Sequence, residues 1–108
     1  MPGFIFATGI ENSAPLIAGP DGKDLRRDEM TLCGHDKRFA EDFALAKEVG
    51  VSHLRYGVPW YRVHVGPDRF GWGFSDAAFG ALRETGLIPI VDLCHFCTPD
   101  WIGGFQYL

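Results

Sequence analysis

The sequence predicts an α/β fold built on a parallel sheet: the N-terminal three βα units of a (β/α)8 TIM barrel, incomplete as it stands. Three observations carry that expectation. Apolar runs of strand length at residues 4–8, 51–58 and 87–93 alternate with two stretches of helical period. The junctions Glu48-Val49-Gly50-Val51 and Glu84-Thr85-Gly86-Leu87 repeat one helix-to-strand pattern at a pitch of 36 residues. The last run then breaks abruptly into a polar, aromatic and proline-bearing cluster, His95, Phe96, Pro99, Asp100 and Trp101, as a strand of a parallel sheet does where it meets a site. Alternation at that pitch implies parallel strands joined by right-handed crossovers. A barrel of about 250 residues allots roughly 31 to each unit, so 108 residues supply about three.

Each element has a local reason. Residues 4–8, Phe-Ile-Phe-Ala-Thr, are aromatic and β-branched and read as a buried strand. From Ala14 to Gly34 there is no usable period, and Pro15, Gly19-Pro20 and Asp21-Gly22 are turn formers, so a loop of about 20 residues is expected there. His35 or Asp36 opens a helix in which Phe39, Phe43, Ala46 and Val49 or Gly50 fall on one stripe, with Gly50 as the stop. A strand follows at 51–58 and is broken by Pro59. Residues 60–65 form a short turn or helical segment, and 66–73 form a loop. Ser75 is the expected N-cap of the second helix, with Asp76 complementing the helix dipole and Ala78, Phe79 and Leu82 facing the core. Gly86 ends that helix, and 87–93 is a third buried strand. Residues 102–108 contain no completed element. Three parallel strands with two helices leave both sheet edges open and one face bare. Such sheets are normally covered on both faces, so the expected whole is the first third of a barrel.

Composition narrows the function. Hydrophobic content of 46% and charged content of 22% are those of an ordered globular chain. A net charge of −4 with scattered Lys and Arg argues against nucleic acid or an anionic membrane as partner. No apolar stretch reaches the roughly 18–20 residues of a membrane span, and the N-terminus lacks the basic region of a signal peptide. Three cysteines, an odd number without such a signal, fit a reducing cytoplasm better than a disulfide framework.

In a parallel α/β barrel, reactive groups come from the C-terminal strand ends and the loops after them. Those positions hold Glu11 and Asn12, then Tyr56 to Trp60, then the stretch 92–100; Arg55 lies one step inside its strand. His95 is a candidate donor to a substrate hydroxyl, or a core histidine satisfied by the backbone. Glu11 is a candidate hydroxyl acceptor or acid/base, or an ion-pair partner of Arg55. An arginine between apolar neighbours needs a carboxylate beside it if buried. Trp60 offers a face for stacking on a sugar, or simply core. The Cys94-His95-Phe96-Cys97 pair, with Cys33 and His35, spells a weak four-ligand zinc pattern. No cofactor and no metal is expected.

Residues 35–42 and 45–50 resemble the first helix of family 1 glycoside hydrolases and related clan A β-glycosidases. Leu54-Arg55-Tyr56, Trp60, Arg62 and Val63 are similar to that family's second strand region. Gly86, Ile88-Pro89, Leu93, His95-Phe96 and Pro99 are similar to its third strand and the loop after it. The resemblance implies a (β/α)8 barrel that hydrolyses β-glycosides, of β-glucosidase type, with retention. The two glutamates that do so follow strands four and seven, beyond this chain. What carries over is a sugar-binding wall: His95 on the hydroxyls, Arg55 beside the nucleophile's position and Trp60 in support. Glu11 and Asn12 stand where the family has a glutamine, and Phe96 where it has a tryptophan. The expectation is therefore a carbohydrate-binding part of a glycosidase-like protein, inactive alone. Two rivals are another barrel hydrolase using Glu11 and His95, and a small zinc or interaction module on Cys33, His35, Cys94 and Cys97. The sequence leaves the oligomeric state open.

Overall fold

The computed structural model describes residues 3–103. The strands are β1 (Ala7–Ile10), β2 (Leu16–Ala18), β3 (Asp24–Arg26), β4 (His53–Gly57), β5 (His64–Gly66), β6 (Arg69–Phe70) and β7 (Ile88–Asp92). The helices are α1 (Glu29–Leu32), α2 (His35–Glu48), α3 (Trp60–Val63) and α4 (Gly73–Thr85). The central sheet has the order β1-β4-β7 and is parallel throughout. Its register sets Gly9, Arg55 and Ile90 side by side at one level and Ile10, Tyr56 and Val91 at the next. Because side chains alternate across a strand, Arg55 faces away from its neighbours Leu54 and Tyr56.

Helices α2 and α4 pack on each other and on the Leu54 and Tyr56 side of the sheet. The core there is Phe43, Leu54, Tyr56, Ala78, Leu82 and Leu87. Phe43 meets Tyr56 edge to face at 5.0 Å, and Phe79 meets it at 5.5 Å, the geometry that aromatic quadrupoles favour. The expected stripes on both helices are thus present, except that Val49 is exposed. Gly50 and Gly86 end the two helices with φ of 92° and 75°, values that a side chain makes costly. The repeated junction is one turn geometry used twice.

Several expectations need correction. The first strand lies at Ala7–Ile10, and Phe4 and Phe6 before it are exposed rather than buried. β7 is likewise not a buried strand: Leu87 is buried, but Ile88, Ile90, Val91 and Leu93 are exposed, because among the described residues no fourth strand or further helix covers them. Pro89 suits that edge. Ile88 N–H donates to Ser52 on the β4 side, so the donor that proline lacks falls on the open side.

The expected 20-residue loop contains structure. β2 and β3 form an antiparallel hairpin across Gly19-Pro20-Asp21-Gly22, and α1 follows, capped by Asp28. Two arginines fasten this strap. Arg26 donates to the carbonyls of Ala14 at 2.6 Å and Thr98 at 2.7 Å and pairs with Asp100. Arg62 reaches Asp28 at 2.7 Å and Thr31 at 2.6 Å, and Tyr61 also donates to Asp28. The loop expected at 66–73 likewise contains β6, which pairs with β5.

Ser75 does not cap α4. The cap position is Trp72, and Ser75 sits buried inside the first turn with its hydroxyl unpartnered. Of the expectation for residues 102–108, positions 104–108 lie outside the described residues. Among the described residues no helix is long and apolar enough to cross a membrane.

Candidate functional site

The C-terminal ends of the three parallel strands converge on a charged cluster. Arg55, on the uncovered side of β4, reaches Glu11 just past β1 at 2.8 Å and Asp92 at the end of β7 at 2.7 Å. His95 Nε2 lies 3.2 Å from the other oxygen of Glu11. The contacts follow from register: Gly9 and Ile90 flank Arg55, so the residues just beyond them meet its guanidinium. Gly57, two positions on, lies against Asn12 and Asp92, where a β-carbon would stand 3.7 Å from each.

Of the residues singled out from the sequence, Glu11, Arg55 and His95 come together. Asn12 is close but differently engaged. It is buried, and its amide donates to the carbonyl of Gly57 at 2.7 Å, tying the turn after β1 to the end of β4. Trp60 opens α3, and its indole N–H donates to His64 Nδ1 at 3.3 Å. Phe96 lies against His95, ring centroids 4.8 Å apart, and is exposed, with a φ of 49°.

Asp92 is the member that sequence reasoning did not single out. The available signal was the charge requirement of Arg55, which one carboxylate only partly meets. Its Oδ2 is close to Arg55 Nε, yet buried without an aligned donor. Close approach supplies Coulomb attraction, while a hydrogen bond also needs a near-linear N–H. The cluster is half-open: the side chains of Arg55 and Glu11 are 42% and 50% exposed, so a polyol in this cleft can exchange hydroxyls for water on both.

A second polar assembly lies among the core aromatics. His35 Nδ1 is 2.6 Å from Asp42, and its Nε2 is 2.8 Å from the hydroxyl of Tyr56. Burial pushes the Tyr56 hydroxyl up to about 12, outweighing the opposite influence of Asn12 and Arg62. His35 is thereby committed to the core. The other members of the zinc pattern fare no better. Cys33 is exposed, and desolvation raises the thiols of Cys94 and Cys97 above their ordinary range, away from the thiolate that binds metal. Among the described residues, no three of His, Cys, Asp and Glu stand together to hold a metal ion.

No family model matches the chain. A 6-phospho-β-glucosidase of Clostridium longisporum is 33% identical over 98 residues, taking in 83% of this chain and 21% of that protein. β-Glucosidase 17 of Arabidopsis thaliana is 35% identical over 78 residues, 63% of this chain and 15% of that protein. Among solved structures, a β-glucosidase from Exiguobacterium marinum matches with a TM-score of 0.66 at 26% identity, over 94% of this chain and 28% of that one. The chain thus spans less than a third of the length of each of these relatives. The strand-end motifs and these matches agree: over most of its length, this chain is related to the family 1 β-glucosidases.

Proposed function

We propose that this chain forms the first three βα units of a β-glycosidase-type barrel and supplies one wall of its sugar pocket. The observation that carries the reading is the meeting of Glu11, Arg55, Asp92 and His95 at the C-terminal ends of three adjacent parallel strands. In a closed barrel that end is where substrate enters. The bare face of β4 and the exposed edge of β7 support the reading, since a parallel sheet is stable when both faces are covered.

In this wall, Glu11 accepts from sugar hydroxyls and His95 donates to them, while Arg55 sets the charge and orientation of both flanking carboxylates. Retaining hydrolysis needs one carboxyl to protonate the leaving oxygen and a second, about 5 Å away, to attack the sugar carbon. Glu11 and Asp92 are both held by Arg55, a poor arrangement for an unencumbered nucleophile. We therefore assign the acid/base and the nucleophile to the part of the barrel that these units leave open, and catalysis to the whole barrel.

The test is an assay of the 108-residue chain with an aryl β-glucoside, with binding followed by NMR. The expected result is saturable perturbation of Glu11, Arg55 and His95, weakened by Arg55→Met, with no turnover. Hydrolysis at enzyme-like rates that Glu11→Gln abolishes would overturn this assignment in favour of chemistry by Glu11 and His95 within the chain.

A further inference from the structure

Away from the Arg55 cluster, the loops after β4 and β7 border a half-open cavity of about 180 Å³ lined by Tyr61, His64, Val65, Asp100 and Trp101. We propose that it is a separate binding site for a single uncharged saccharide ring. None of Glu11, Arg55, Asp92 or His95 lines it, so the inference stands on this cavity and goes beyond the reading of the strand-end site.

The hydrogen bonds around the cavity decide what it can hold. Trp101 donates its indole N–H to the carbonyl of His64 at 2.9 Å, and its ring meets the His64 imidazole edge to face at 4.9 Å. The indole is thereby fixed in orientation with its one polar group used, and the residue remains 45% exposed. What it offers a ligand is an apolar plane.

His64 is held from the other side as well. The Trp60 indole donates to its Nδ1 at 3.3 Å, which leaves the proton on Nε2, and Phe70 stacks on the ring at 4.6 Å. Among the described residues Nε2–H has no acceptor, so the imidazole presents a fixed donor. Asp100 pairs with Arg26 through Oδ1, and Oδ2 has no partner among the described residues. Tyr61 contributes only its ring, since its hydroxyl donates to Asp28 and accepts from Arg62 Nε at 2.8 Å.

One apolar plane, one unpartnered donor and one free acceptor suit a pyranose, whose C–H face lies on an aromatic ring while neighbouring hydroxyls both give and take hydrogen bonds. Other ligand classes fit poorly. A wholly apolar ligand would desolvate the unpartnered Oδ2 of Asp100 with nothing to replace its water. An anion would meet that carboxylate, and a cation would compete with the Arg26 guanidinium already bound to it. The volume is below the roughly 300–1,000 Å³ of sites for drug-sized ligands, so the cavity takes one ring rather than an oligosaccharide. Binding by so few atoms is expected at roughly millimolar Kd.

An amide and indole NMR titration of the intact chain with methyl β-D-glucopyranoside tests the proposal. Saturable shifts at the Trp101 indole and at Val65 are expected. Trp101→Ala should weaken them about tenfold with the Phe43 and Tyr56 resonances in place, whereas Trp101→Phe, which keeps a plane but loses the bond to His64, should retain most of the affinity. Glu11→Gln should leave the response at Trp101 unchanged. Saturation around Glu11 and His95 with none at Trp101 would overturn the inference and leave the proposed function standing; the reverse pattern would remove the strand-end site and keep this one.

Discussion

Leu54 and Tyr56 of β4 lie buried beneath two helices, while Arg55 between them faces a side where the neighbouring Ile90 is half exposed. The two sides are stabilised by different physics. Beneath the helices, Phe43, Leu54, Tyr56, Ala78 and Leu82 remove apolar area from water at close packing. On the open side, Arg55 pairs with the half-exposed Glu11 at 2.8 Å and with Asp92 at 2.7 Å, and His95 lies 3.2 Å from Glu11; a solvent-exposed pair is worth about 0–1 kcal/mol. Stability therefore belongs to the helix side, and the proposed recognition to the open side. A variant on the first should change folding, and one on the second should change binding.

The strongest way to break that division is Phe43→Ala. Phe43 is fully buried against His35, Phe39 and Tyr56, and truncating such a ring leaves a cavity costing about 3–5 kcal/mol. For a domain whose total stability is about 5–15 kcal/mol, that is close to unfolding. Urea denaturation followed by circular dichroism measures it. A loss below about 1 kcal/mol would mean that the helix layer does not carry the fold.

The same division explains what the sequence disclosed. The helix side was legible because Phe39, Phe43, Ala78 and Leu82 repeat at helical spacing and Gly50 and Gly86 punctuate it. The strap was not, because β2 and β3 are three residues each, too short to show a period, and are held by Arg26 and Arg62 through contacts distant in sequence. Phe4 and Phe6 looked buried because an apolar run reports what a strand could bury, not whether a partner is present. Ser75 looked like a cap because its residue type fits, yet α4 begins a turn earlier, at Gly73. In the site, Glu11, Arg55 and His95 followed from the strand-end rule. Asp92 lay within the same strand-end stretch but was not singled out, since only the charge requirement of Arg55 pointed to a second carboxylate and nothing local said which one.

A smaller effect separates the two sides by pH. Tyr56 ionises near its ordinary value of 10 when unfolded and at about 12 when buried. The folded state thus favours the neutral hydroxyl. This contribution is fully present below pH 10 and is lost as pH rises towards 12, where the unfolded chain releases the proton first. Two units correspond to on the order of 2–3 kcal/mol across that window. Tyr56→Phe should be less stable at neutral pH by about 1 kcal/mol, through the lost bond to His35, yet should lose less stability between pH 10 and 12 than the unsubstituted chain. Parallel pH profiles of the urea midpoint would refute the account.

The smallest effect has the opposite sign and involves the same residue type as the largest. Phe96 sits beside His95 with a φ of 49° and is 65% exposed, so its ring contributes little burial while its backbone occupies a region that costs a side chain roughly 1–2 kcal/mol. Phe96→Gly relieves that strain but gives the unfolded chain more freedom, at about 0.4–1 kcal/mol. The net expectation is a stability gain of about 0.5 kcal/mol, seen as a higher urea midpoint, together with weaker sugar perturbation at His95, whose imidazole loses the neighbouring ring. A stability loss as large as that of Phe43→Ala would show that the loop after β7 belongs to the packed side of the molecule. A gain in stability with weakened binding would place strain and recognition in the same loop after β7, separate from the aromatic layer that holds the sheet to its helices.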